Sequence, residues 1–479
     1  MAKNCEKNMD EKEKLISCID SIASLYLDRY ERMRDLKAVS IADQKTLKEI
    51  SLCFPKEGRD LEEVVSELEK NVFANQAIMQ HPRFFAFIPS PTTPLSWLGD
   101  VITDAYNPHA GTWMESSAAS CIEKEMIRWF ANQAGFPETA GGLFVSGGSI
   151  ANLTALAAAR HARLKEEELD DGVVYLSEQT HYSVSKALRI MGVRFDQIRI
   201  IPCDEDYRID VALLKKQIEK DIADKKKPYL IAATAGTTNA GCIDPLEQLA
   251  DLCDSYGMWL HVDGAYGASV LLSEQHKHLF QGIHRADSLT WDAHKWLFQT
   301  YACSMVLFRN RKDLAGCFGS DPEYLKDASV REEEINYWEW GIELTRPARY
   351  LKLWLTIQAL GTKKISEMID HGISMAEYVQ EKVESSDKWQ LSSSASLGIV
   401  NFRFAPAGLN KQERDELNVR IAKKITESGF ACILTTRLKD HTVLRICCIH
   451  PDTTKKDIND TFDLLSDYAD EALKELIKQ

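Results

Sequence analysis

The chain has 479 residues, 44% apolar and 27% charged, a composition that builds globular cores at a length predicting two or three domains. Its net charge of −14 argues against nucleic acid or an anionic membrane as the main partner, since both need a basic face. The N-terminus is charged, without an apolar signal segment, and no run approaches the roughly 18 apolar residues that span a bilayer, so a cytoplasmic protein is expected.

Twelve cysteines are scattered without a C-x-x-C pair, which predicts reduced, buried thiols and neither disulfides nor a metal site. Asn152-Leu153-Thr154 and Asn459-Asp460-Thr461 match the glycosylation pattern, but without secretion the match is accidental.

In chain order, helical periodicity runs from about Leu15 to Leu36, and a second helix is predicted from an N-cap at Asp60 to about Met79. Neither can form a core alone, so both are expected to pack on something else, such as a second copy of the chain. A proline-punctuated aromatic stretch, His81 to Ser90, follows, then a turn at Asn107–Gly111 and a helix over Ser117–Gln133.

From about 140 to 310, short apolar strands alternate with helices. Strands are predicted at Leu143–Val145, Val173–Leu176, Ile198–Ile201, Tyr229–Thr234, Met258–Val262, Ser288–Trp291 and Cys303–Phe308. Helices are predicted at Ile150–Leu164, Ser183–Met191, Val211–Ala223 and Leu246–Tyr256. Continuously apolar strands between helices predict an α/β fold with a mostly parallel central sheet covered on both faces. An acidic segment, Gly319 to Gly341, precedes a long helix from Arg349 to about Glu384. Strands at Leu397–Phe404, Phe430–Thr435 and Val443–Cys448, with helices near Lys411–Ser428 and Lys455–Ile477, predict a small C-terminal α+β domain. The expected division is 1–92, an N-terminal helical segment, 93–370, the large domain, and 371–479, the small one.

Four polar turns follow predicted strands. Ser146-Gly147-Gly148-Ser149 opens a helix whose free N–H groups and partial positive charge suit an anion. Ser177 to Ser183 presents His181, which suits stacking on a flat ring or proton transfer. Ala235 to Gly241 offers hydroxyls and glycines, and His261-Val262-Asp263-Gly264-Ala265-Tyr266 ends a strand in a carboxylate. Such a carboxylate could keep a ring nitrogen protonated; at about 4 Å and an effective dielectric near 20 the pair is worth at most ~4 kcal/mol. Beyond these, Asp292-Ala293-His294-Lys295-Trp296 presents a lysine walled by tryptophans. Burial there is expected to lower its pKa and suit it to Schiff-base chemistry. Taken singly, each feature has an ordinary structural explanation: a strand-to-helix turn, an N-cap, a satisfied histidine, a surface lysine. Together they fit a phosphate-bearing aromatic aldehyde, pyridoxal 5'-phosphate (PLP), with the lysine as its covalent partner. The chain has no G-x-G-x-x-G and no P-loop motif.

Over nearly its full length the sequence resembles the group II PLP-dependent amino-acid decarboxylases of fold type I, with its closest likeness to bacterial tryptophan and phenylalanine decarboxylases. Asp292–Trp296, His261–Tyr266 and Tyr324-Leu325-Lys326 carry the likeness. The resemblance implies Lys295 as the Schiff-base lysine, Asp263 as partner of the pyridine nitrogen and His181 stacked on the ring. It implies Gly148, Ser149, Asp292 and His294 at the phosphate, Thr238 beside the ring and Ala265 in the cofactor site. Tyr324, on a mobile loop, would protonate the substrate carbon after CO2 leaves, and a tyrosine there favours plain decarboxylation over oxidative aldehyde formation. Where animal relatives carry asparagine this chain has Asp292, an awkward charge near a phosphate.

Phe84, Phe85, Phe87, Ile88, Trp113, Trp338 and Trp340 are candidates for the substrate side chain, of which two or three are expected to line the pocket. The resemblance selects Phe87, Ile88, His109 and Trp338, with His109 reaching the site of the neighbouring subunit of a homodimer. The expected activity is decarboxylation of tryptophan or phenylalanine to tryptamine or phenethylamine. Alternatives are a decarboxylase of tyrosine or DOPA, one of an acidic amino acid such as glutamate, and a non-catalytic PLP-binding homolog.

Overall fold

The computed structural model describes residues 2–50, 54–319 and 334–477. Seven strands form the main sheet: β1 (Gly141–Val145), β2 (Gly172–Ser177), β3 (Ile198–Ile201), β4 (Lys227–Thr234), β5 (Trp259–Asp263), β6 (Ser288–Trp291) and β7 (Ser304–Phe308). Their order is β1-β7-β6-β5-β4-β2-β3, and β7 alone runs antiparallel to its neighbours. Every residue of β1, β2, β5, β6 and β7 is buried, as the continuously apolar strands predict for a sheet covered on both faces. One core cluster joins Val173, Tyr175, Ile231 and Leu260 to the helices on one face; another joins Val174, Leu176, Leu230 and Trp259 to those on the other. The alternation of adjacent residues between clusters is the two-residue period of a strand.

The second sheet is antiparallel, in the order β10 (Leu434–Leu438), β11 (His441–Cys447), β9 (Ile399–Phe404), β8 (Trp389–Ser396). The helices Lys411–Ser428 and Lys455–Ile477 cover it over a core of Phe402, Leu417, Ile421, Ile446 and Phe462. The long helix Leu351–Glu384 joins the two units; Ile369 and Ile373 belong to the core of the main sheet, and Met375 and Val379 to the core of the second. A break at Gly361, whose φ of 75° is left-handed, re-aims that helix within its length.

Several expectations need correction. The second N-terminal helix starts at its Asp60 cap, which accepts from Glu62 and Glu63 N–H, but its α-helical part ends at Glu67 and a wider turn carries it only to Phe73. Helices at Gln44–Ile50 and Pro94–Tyr106 and the serine-rich β8 went unforeseen. The strand placed at Phe430–Thr435 begins only at Leu434. Residues before it pair instead with the aromatic stretch: Phe85 N–H donates to the Cys432 carbonyl at 2.9 Å and Cys432 N–H to the Arg83 carbonyl at 3.0 Å. Phe84 and Phe85 are therefore core, tying the N-terminal segment to the small domain. The described cysteines are free thiols, but Cys121 is exposed.

A buried ion pair locks the sheet edge nearest the site. Arg346 Nη2 lies 2.6 Å from Glu123 Oε1, and both side chains are essentially fully buried. Glu123 Oε1 also accepts the Phe144 N–H at 2.7 Å, while Arg346 donates to the carbonyls of Ala110 and Phe144; of the guanidinium nitrogens only Nε is buried without a partner.

Candidate active site

Strands β2, β4, β5 and β6 are parallel, and β1, antiparallel to β7, points the same way. The turns after these strands therefore meet at one edge of the sheet, where open α/β sheets bind ligands. They enclose a cavity of about 280 Å³ lined by Gly148, Ser149, His181, Thr238, Asp263, Ala265, Asp292, His294 and Lys295. Every described residue expected at the cofactor is thus brought to one place. A larger crevice, about 740 Å³ between Tyr207 and Ser392–Ser396, holds none of them.

Lys295 sits on a single helical turn, Ala293–Trp296, that follows β6. Its Nζ lies 2.9 Å from Asp292 Oδ2. Burial disfavours the ammonium, yet the carboxylates of Asp292 and Asp263 outweigh it and raise the Lys295 pKa. The expectation of a lowered pKa is corrected: the lysine is walled by carboxylates as much as by tryptophans. Trp291 and Trp296 are core, the first donating to Ser269 Oγ at 3.1 Å, the second stacked on Tyr266 with centroids 5.1 Å apart.

Asp292 is buried; desolvation raises its pKa, but Lys295 and His294 hold it below the usual carboxylate range. Oδ2 serves Lys295, and Oδ1 has no hydrogen-bond partner. A Cβ on Gly148 would lie 2.9 Å from Asp292 Oδ2, so only glycine lets the helix Gly148–Arg163 begin this close to that carboxylate. Ile150 and Ala151 make the first bonds of that helix, to the Gly147 carbonyl, which leaves the N–H groups of Gly148 and Ser149 without intrahelical partners. His294 Nδ1 lies 3.2 Å from Ser304 Oγ, and burial lowers the His294 pKa.

Asp263, at the end of β5, accepts from Ala265 N–H at 3.1 Å through Oδ1 and from Asn152 Nδ2 at 2.9 Å through Oδ2. His181 caps the helix Tyr182–Ile190, and burial lowers its pKa, so the ring is neutral near pH 7. Sequence reasoning missed Asn152 and Thr234 and gave no role to Ser183, Gly236 and Tyr266 within the turns it singled out; all five line the cavity. It also missed Arg445, which donates to the Thr238 carbonyl at 2.8 Å and to the Phe87 carbonyl.

None of Phe87, Ile88, His109 and Trp338 lines this cavity. They fall into two groups. Phe87 is exposed and tied through its carbonyl to Arg445; Ile88 packs at the margin of the main core. His109 pairs with Glu115 at 2.8 Å, and Trp338 N–H donates to the Gly111 carbonyl at 3.1 Å. Tyr324 lies outside the described residues. No group of three or more metal-ligating side chains occurs among the described residues.

The donor set fits pyridoxal phosphate. An amine, a carboxylate on the far side of the cavity wall, a neutral imidazole and free N–H groups at a helix start are what its aldehyde, ring nitrogen, ring face and phosphate require. The unpartnered, buried Thr234 Oγ1 and Asp292 Oδ1 on the same walls mark groups that folding alone does not satisfy. Asp292, a carboxylate beside the Gly148 turn, is a charge opposed to a phosphate there.

Residues 44–405 match the model of the pyridoxal-dependent decarboxylase conserved domain. An aromatic-L-amino-acid decarboxylase of Bacillus atrophaeus is 41% identical over 462 residues, covering 96% of this chain and 95% of that one. Among solved structures, the Oryza sativa enzyme TDC with PLP and tryptamine superposes with a TM-score of 0.89 at 26% identity, covering 96% of this chain and 98% of the other. The Catharanthus roseus tryptophan decarboxylase in complex with L-tryptophan superposes with a TM-score of 0.90 at 25% identity and the same coverage.

Proposed function

The chain belongs to the pyridoxal-dependent decarboxylases, a family of carboxy-lyases that use PLP, and from that premise we propose that it converts aromatic L-amino acids, tryptophan and phenylalanine foremost, to arylalkylamines and CO2. The observation that carries this is the convergence of Lys295, Asp263, His181, Gly148, Ser149 and His294 on one cavity in a chain so similar to an aromatic-amino-acid decarboxylase.

PLP supplies an electron sink for the pair released when the Cα–carboxylate bond breaks. The chain's own residues do the rest. Lys295 would hold the cofactor's aldehyde, Asp263 would keep its ring nitrogen protonated and His181 would lie against its ring. Gly148 and Ser149 N–H, with His294, would hold the phosphate, and Thr238 and Ala265 would border the ring. Asp292 keeps Lys295 charged and in place until the cofactor arrives. Tyr324 hands a proton to Cα, in a site from which water must be excluded.

We assign the substrate side chain to Phe87 and Ile88 of one chain and His109 and Trp338 of a second. The exposed apolar stripe Leu15, Ile19, Ile22 and Leu25 on the helix Ala2–Glu31 supports a homodimer. In this scheme residues 1–92 serve the dimer, 93–370 bind the cofactor and 371–479 close over it, in the cytoplasm. Among the described residues no helix is long and apolar enough to cross a membrane. The test is incubation of PLP-loaded enzyme with tryptophan, phenylalanine, tyrosine, DOPA and glutamate, measuring CO2 and amine. Turnover of tryptophan or phenylalanine above the others is expected; turnover of glutamate alone, or of none, overturns the proposal.

A further inference from the structure

Behind Asp263 lies a chain of buried polar groups that the catalytic scheme does not use. Asn152 stands one helical turn beyond Gly148, where i and i+4 share a face, so it follows the phosphate turn into the same wall of the cavity. Its four hydrogen-bonding positions are all filled. Nδ2 donates to Asp263 Oδ2 at 2.9 Å and to Ser183 Oγ at 3.0 Å. Oδ1 accepts from Thr290 Oγ1 at 2.7 Å and lies 3.0 Å from His261 Nε2.

The Asp263 carboxylate can only accept, so the Asn152 amide must turn Nδ2 toward it and Oδ1 toward His261 and Thr290. Trp259 Nε1 can only donate, and it gives its hydrogen to Ser288 Oγ at 2.9 Å. His261 must then carry its hydrogen on Nε2 to meet Asn152 Oδ1 at 3.0 Å, which leaves Nδ1 to accept from Ser288 Oγ at 2.9 Å. Full burial pushes the His261 pKa down to about 4, so a single neutral tautomer persists near pH 7. With Asp263 accepting on one side and His261 donating on the other, the amide has a single orientation. On the other side Ser183 Oγ accepts from Asn152 and lies 2.8 Å from His181 Nδ1, which also accepts from the Ser183 backbone N–H at 3.3 Å, leaving the His181 hydrogen on Nε2.

We infer that Asn152 is the positioning residue of this site: its fixed amide orients the Asp263 carboxylate toward the cofactor ring nitrogen. This rests on the assignment of Asp263 to the ring nitrogen. Asn152 itself touches no reacting atom. Asp263 keeps lone pairs free after accepting from Asn152 and Ala265, and those remain for the ring.

The test compares two ligands on the full-length protein prepared without cofactor: PLP, and its deaza analogue, in which carbon replaces the ring nitrogen. Binding is read by quenching of tryptophan fluorescence. Wild type is expected to favour PLP over the analogue by at least tenfold. Asn152→Asp, nearly isosteric, still accepts from Thr290 and His261 but sets a second carboxylate against Asp263; the preference is expected to fall at least tenfold, with analogue affinity changed less than threefold. Thr290→Val, which removes one donor to Oδ1, is expected to reduce the preference in the same direction by a smaller factor. Equal loss of both ligands in Asn152→Asp, or no loss of either, overturns the inference and leaves the PLP assignment standing. A wild type that binds PLP no better than the analogue overturns the role of Asp263, and this inference with it.

Discussion

Replacing Asp292 by asparagine keeps the side chain's shape and removes the carboxylate 2.9 Å from Lys295 Nζ. At that separation two unit charges attract by about 6 kcal/mol at an effective dielectric near 20, a gross figure. Asp263 continues to attract the lysine, and the Lys295 side chain is 24% exposed to the cavity, so about 2 kcal/mol is a fair net loss. Burial then opposes the ammonium with one carboxylate fewer, and the Lys295 pKa falls. Only the neutral amine attacks an aldehyde, and ~2 kcal/mol corresponds to roughly a 30-fold larger amine fraction near neutral pH. Stopped-flow mixing of cofactor-free protein with PLP, followed at the cofactor's visible band, is expected to show covalent uptake accelerated by about that factor in Asp292→Asn. The pH dependence of the rate should move toward acid, because a lysine with a lower pKa frees its amine earlier as pH rises. An unchanged rate and pH profile would show that Asp292 does not govern Lys295. The same pair sets a stability window. The Asp292 pKa is lowered in the fold, so its contribution is present above the unfolded carboxylate value and is lost as pH falls through the folded one. Asp292→Asn should therefore flatten the acid limb of the stability curve, read by urea melts.

Two further predictions concern the frame around the site. Gly148→Ala places a methyl 2.9 Å from Asp292 Oδ2 and 3.0 Å from Oδ1, so PLP affinity measured by equilibrium dialysis should drop about tenfold or more, a packing cost of ~1–3 kcal/mol, and Gly148→Ala/Asp292→Ala should regain part of it. Arg346→Met leaves Glu123 charged and unpaired in the core, which should destabilise the fold by about 3–5 kcal/mol in denaturant melts, whereas Arg285→Met, on a side chain whose partners are largely exposed carboxylates, should cost less than about 1 kcal/mol.

The main sheet was legible because its strands are buried on both faces, and continuous apolar runs such as Tyr229–Thr234 leave few other readings. The polar turns were legible for the complementary reason: glycine, serine and histidine directly after an apolar strand stand out. Asn152 was not, though it sits in plain view as a polar residue in an alanine-rich helix. Its match to a glycosylation pattern drew the only comment, while its partners His261, Thr290 and Asp263 come from two other strands that only the folded sheet brings together. Edge strand β8 escaped because Ser392, Ser393 and Ser394 carry no period-two apolar signal, and its register with β9 is irregular. The lysine's surroundings were misjudged in sign: sequence showed the tryptophans beside it, while the carboxylates that raise its pKa include one from β5, distant in the chain. Substrate contacts were the least legible, since none of the four chosen residues lines the cavity that gathers the cofactor set.

The central claim is that Lys295 is the covalent anchor of PLP. Loading the protein with PLP, reducing it with borohydride and mapping the peptides by mass spectrometry tests it directly. The account predicts a phosphopyridoxyl adduct on the peptide containing Lys295, absent in Lys295→Ala. An adduct confined to other lysines, or equal labelling in Lys295→Ala, would contradict it.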